Sequence, residues 1–140
     1  NNAIIFGARK LHTYTSVVSA KYIFKNDLSL TLNARHYWNT GEYINFYTLA
    51  ENGILQANNT YSQSHNFSYN SFNIDAIFSW QFTPGSLLSI AYKNVIDKEE
   101  LTIPNNFAEN FSNTLHLPQT NRLSIRILYF LDYQSLKKRV

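Results

Sequence analysis

Phe72-Asn73-Ile74-Asp75-Ala76-Ile77-Phe78-Ser79-Trp80-Gln81-Phe82 alternates along its whole length. Phe72, Ile74, Ala76, Phe78, Trp80 and Phe82 fall on one parity. Asn73, Asp75, Ile77, Ser79 and Gln81 fall on the other. A period of two places these sets on opposite faces of a strand and would make a poor helix. Eleven residues at about 3.3 Å each extend roughly 36 Å. Strands of soluble domains usually run about 5–6 residues, whereas a tilted strand crossing a bilayer needs about 9–11.

Working outward, the same pattern recurs. Leu28 to Trp38 carries Leu28, Leu30, Leu32, Ala34 and Trp38 on one face, with His36 as the exception and Ser29, Thr31, Asn33, Arg35 and Tyr37 opposite. Leu123 to Tyr133 carries Leu123, Ile125, Ile127, Tyr129, Leu131 and Tyr133 on one face. Weaker alternation marks strands at Tyr14 to Phe24, around Leu88, Ile90 and Tyr92, at Tyr43 to Leu49 and Ile54 to Ser62, and from Ala3 to Arg9. The expectation is one antiparallel region of about eight strands over residues 1–140. Tight connections at Lys25-Asn26-Asp27, Glu51-Asn52-Gly53 and Thr83-Pro84-Gly85-Ser86 are expected to share one rim. The Asn-rich stretch from Ile96 to Asn121, with Pro104 and Pro118, reads as a long loop on the opposite rim.

Composition agrees with alternation. Ten Tyr, ten Phe and two Trp accompany only 15% charged residues, which fits strands with one apolar and one hydrophilic face. The longest apolar runs are far shorter than the roughly 20 residues a spanning helix requires, so a membrane role must rest on strands. Without cysteine there is no disulfide framework, thiolate metal site or cysteine nucleophile. The net charge of +3 comes from scattered residues, and the one cluster, Lys137-Lys138-Arg139, reads as a solvated tail and not as a nucleic-acid site. With no Met, Asn1 is not a translational start, so an upstream part of the protein is expected to be missing.

Candidate sites follow from the faces. Arg35, Asp75, Lys93 and Arg126 interrupt otherwise regular strands on the polar side and are expected to face a lumen, where they would line a solute path or close it as a salt-bridge network. Trp38, Trp80, Phe82 and Tyr133 stand near strand ends, where amphipathic rings meet lipid headgroups. His12, His36, His65 and His116 lack zinc-ligand spacing, and Asp97, Glu99 and Glu100 lack that of a calcium loop. No catalytic residue, cofactor site or metal site is expected, so the chain reads as a non-enzyme. Asn58-Asn59-Thr60, Asn66-Phe67-Ser68 and Asn110-Phe111-Ser112 match the glycosylation acceptor pattern but read as products of Asn-rich loops.

Ser71-Phe72-Asn73-Ile74-Asp75 through Trp80-Gln81-Phe82-Thr83-Pro84-Gly85-Ser86, and Pro118-Gln119-Thr120-Asn121-Arg122-Leu123-Ser124 with Tyr129-Phe130-Leu131-Asp132-Tyr133, carry a family resemblance. They resemble the C-terminal barrel of an uncharacterised Bacteroidota family whose members usually have an N-terminal family-9-like carbohydrate-binding domain. Gly7-Ala8-Arg9-Lys10-Leu11-His12 and Ala34-Arg35-His36-Tyr37-Trp38 resemble it as well. The resemblance implies an outer-membrane setting and a link to glycans through a domain outside this stretch. It supplies no functional residues.

The resulting expectation is a transmembrane β-barrel segment, in contact with outer-membrane lipid, that passes or handles a solute. One rival is a non-conducting anchor or assembly partner for outer-membrane or periplasmic proteins. Another is a soluble, lipocalin-like barrel with its apolar face as core, since alternation alone does not separate core from lipid.

Overall fold

A computed structural model of the chain describes residues 4–131. Its strands are β1 (Ile5–Lys25), β2 (Leu28–Leu49), β3 (Leu55–Ala57), β4 (Phe67–Thr83), β5 (Ser86–Glu100) and β6 (Thr120–Leu128), with one helix, α1 (Phe107–Leu115), between β5 and β6. They form a single antiparallel sheet in the order β1-β2-β4-β5-β6, with β3 pairing β2. The all-β, antiparallel expectation therefore holds.

Among the described residues, β1 and β6 end the sheet at opposite edges, and it is not closed into a barrel. Of the two expectations, a barrel or the C-terminal part of a larger one, the chain does not form the first by itself. The reason lies in the strand count. The stretches expected at Ala3 to Arg9, of which Ala3 lies outside the described residues, and at Tyr14 to Phe24 fall in the one 21-residue β1. Those at Leu28 to Trp38 and Tyr43 to Leu49 fuse into the 22-residue β2. Among the described residues, six strands, one of only three residues, stand where about eight were expected. A barrel whose interior is just filled by side chains takes about eight full strands.

Fusion also corrects the turns. Asn26-Asp27 precedes β2 and Glu51-Asn52-Gly53 follows it, so these connections bracket one strand and do not share a rim. Asn26-Asp27 and Pro84-Gly85 are both two-residue connections between paired strands. At the second, Gly85 has φ +78, a left-handed conformation that a residue with a Cβ rarely adopts.

The expected long loop also changes. Its first residues extend β5 to Glu100, and its middle is α1. Asn106 caps the helix, its Oδ1 accepting from the Glu109 amide at 2.9 Å, and Glu109 adds negative charge to the first turn. At the far end, the His116 amide donates to Asn113 O at 3.1 Å and its ring Nδ1 donates to Ser112 O at 2.7 Å, satisfying carbonyls the helix leaves free.

The chain gathers into two compact units. Among the described residues, the first takes the chain as far as Ser16, His36–Phe72 and Ile96–Gln119; the second takes Val17–Arg35, Asn73–Val95 and the chain from Thr120 onward. The buried hydrophobic residues Trp38, Phe72 and Ile96 all belong to the first. In the second, Val18, Tyr22, Phe24, Trp80, Leu123, Ile125 and Ile127 are exposed.

Candidate functional site

In the second unit the register of β5 and β6 resolves two faces. Leu88 lies opposite Ile127, Ile90 opposite Ile125 and Tyr92 opposite Leu123. On the other face, Ser89 lies opposite Arg126 and Lys93 opposite Arg122. Directly opposed residues of an antiparallel pair share a face, so the alternation read from each strand is matched by its neighbour.

The polar face gathers charge. Lys93 Nζ meets Asp75 Oδ1 at 3.5 Å, both side chains being about half exposed, which joins two of the four expected lumen residues. Arg122, not singled out from the sequence, stands beside Lys93 as a like charge. Arg35 and Arg126 are exposed and make no ion pair among the described residues. Lys21 and Lys25 of β1, Ser29 of β2 and Ser79 and Gln81 of β4 line a cavity of about 140 Å³. The apolar face carries an aromatic group near the Pro84-Gly85 turn. Trp80 and Phe82 meet edge to face at 5.8 Å, and Phe82 stacks on Tyr129 at 6.3 Å. Tyr133 lies outside the described residues.

The first unit holds a packed polar cluster instead. α1 presents Phe107, Asn110, Phe111 and Thr114 at helical spacing, and Asn110 and Thr114 are buried. Asn70 and Asn110 exchange two amide hydrogen bonds, at 2.9 and 2.6 Å. His36 Nε2 donates to Asn70 Oδ1 at 3.2 Å, leaving buried Nδ1 without a partner among the rings of Phe72, Phe107 and Phe111. That burial lowers the His36 pKa from the ordinary histidine value, against the smaller opposing effect of the Asn70 bond. Trp38, expected as a strand-end aromatic at the lipid interface, is only 5% exposed and sits well inside β2. Its Nε1 donates to Ser68 Oγ at 3.0 Å and its ring stacks on Tyr14 at 5.0 Å.

Elsewhere in this unit, Asn58 Oδ1 accepts from the amides of Thr60 and Tyr61, folding a turn, and Tyr61 stacks on His65. Of the other histidines, His12 is exposed on β1. Among the described residues no group of three His, Asp or Glu side chains is placed to hold a metal ion.

The full chain, residues 1–140, matches a family described as a domain of unknown function, DUF5916. The chain belongs to this family. No curated protein and no solved structure matches it. In this DUF5916 chain the two faces and the packed cluster are the candidate functional features. Sequence reading found Asp75, Lys93, Arg35 and Arg126 individually. It missed Arg122, Lys21 and Lys25, whose even spacing on alternating strands was the available signal. It also missed the His36–Asn70–Asn110 contact, for which a single strand's pattern gives no sign.

Proposed function

We propose that this chain is part of an outer-membrane β-barrel that passes a solute along its polar face, with the apolar face of the second unit against lipid. One observation carries the reading. Every charged residue on a strand of the described second unit falls on the polar face: Lys21, Lys25, Arg35, Asp75, Lys93, Arg122 and Arg126. The opposite face carries none, and its Val18, Tyr22, Leu30, Trp80 and Ile127 are exposed in five neighbouring strands with β5's Tyr92. A soluble sheet that left so wide an apolar face uncovered would aggregate. Ile74 to Phe82, nine residues long, is the length a tilted membrane-crossing strand needs. Under this reading the crossing stretches lie in the second unit, and His36 lies outside them. No helix among the described residues is long and apolar enough to cross a membrane, so strands would carry the crossing.

The open sheet fits a share of a larger barrel, because β1 and β6 would need partner strands in hydrocarbon. The resemblance to outer-membrane proteins of Bacteroidota with a carbohydrate-binding domain supports the same setting and a glycan-derived solute. The test is conductance of the intact protein in planar bilayers, preceded by detergent partitioning. Discrete conductance steps support passage. Membrane insertion without conductance favours the anchor reading, and recovery in the aqueous phase favours a soluble barrel.

A further inference from the structure

We propose that the polar face of the second unit selects anions, taking solutes that bear carboxylate or phosphate groups; this rests on the barrel reading above. Six cationic side chains share that face with one strand carboxylate, and Asp27 of the first turn lines the same cavity as Lys21 and Lys25. β1 contributes Lys21 and Lys25, β2 Arg35, β5 Lys93, and β6 Arg122 and Arg126, against Asp75 on β4. The cations are therefore spread across neighbouring strands of one sheet and are all exposed.

Two features make this more than a solvated face. Lys93 and Arg122 are directly opposite in the β5–β6 register, an arrangement that destabilises a sheet unless an anion lies between them. Asp75 reaches Lys93 alone, at 3.5 Å, and Arg122 keeps its charge uncompensated by any ion pair among the described residues. Adjacent strands are about 4.8 Å apart, so the directly opposed Lys93 and Arg122 stand within the roughly 8 Å screening length of physiological salt and their fields add. A face dominated by one sign of charge concentrates counter-ions, here anions, and repels cations. Arginine adds a planar fork of donors matched to carboxylate and phosphate oxygens.

The experiment is reversal potential in a KCl gradient across phosphatidylcholine bilayers, whose zwitterionic headgroups supply no net anionic surface. Wild-type protein should pass chloride several-fold more readily than potassium. K21E/R35E/R126E should swing the preference to potassium, and Asp75→Asn, which frees Lys93, should raise the preference for chloride. The Asp75→Asn arm predicts a gain, so impaired folding does not imitate it. A conducting protein with no anion preference, or a triple variant that keeps the wild-type preference, overturns the proposal while leaving solute passage standing. Absence of conductance removes solute passage, and calorimetric titration of micellar protein with tripolyphosphate then decides. Binding that falls at least tenfold in the triple variant upholds anion recognition; no binding to the wild type overturns it.

Discussion

The two units use the same strand pattern for opposite ends. In the second, even positions of β2 and β4 are Leu28, Leu30, Leu32, Ala34, Ile74, Ala76, Phe78, Trp80 and Phe82, uncharged, none of them buried and Leu30, Leu32 and Trp80 exposed. In the first, the even positions His36, Trp38, Thr40, Ser68, Asn70 and Phe72 are buried, and α1 supplies the rings and the amide that meet them. A face proposed to meet lipid can be purely apolar because hydrocarbon asks for no hydrogen bonds. A face meant for a helix can mix rings with amides, because every amide finds a partner. Burial thus follows what covers a strand, and alternation alone does not report it.

The largest expected effect lies in the packed unit. Trp38→Ala should cost about 3–5 kcal/mol, since it removes a buried ring and leaves a cavity between Tyr14 and Phe107. Denaturant unfolding should show the same loss in micelles and bilayers, because the ring packs on protein. A cost that varied with the lipid would erase the distinction between the units.

Next comes the bare face. Leu30→Arg should destabilise by ~2–4 kcal/mol near the bilayer midplane, while Thr31→Arg, one residue along and on the polar face, should cost far less. Refolding into vesicles measures both, and equal or reversed penalties would exchange the faces.

Much of this was legible in the sequence because strand parity is local. Leu123 to Tyr133 announced its faces, and the β5–β6 register agrees as far as it runs, to Leu128. The number of strands was not legible. Leu28 to Trp38 and Tyr43 to Leu49 read as separate strands, yet β2 runs through both, and Gly41 between them makes room for the Phe67 ring of the next strand. α1 was missed although its signals were present: Asn106 with Glu109 three residues later, Phe107 and Phe111 four apart, and Pro118 beyond the end. A nine-residue helix is too short to stand on propensity, and the packing partners that stabilise it are distant in sequence.

The smallest effect belongs to that cap. Asn106→Ala should destabilise the first unit by about 1 kcal/mol, through loss of the bond to the Glu109 amide. Hydrogen exchange should quicken at the start of α1 and stay unchanged in β6. Equal quickening in both would mean that the two units do not open separately.

The central claim, that lipid covers the even face of the second unit and protein covers that of the first, is tested most directly by the two tryptophans of the chain. Trp80 is 41% exposed on the bare face, and Trp38 is 5% exposed beneath α1. In vesicles whose acyl chains carry bromine, emission from Trp80 in W38F protein should be strongly quenched, and emission from Trp38 in W80F protein should be nearly unaffected. Quenching of Trp38 alone, or of neither ring, would contradict the account.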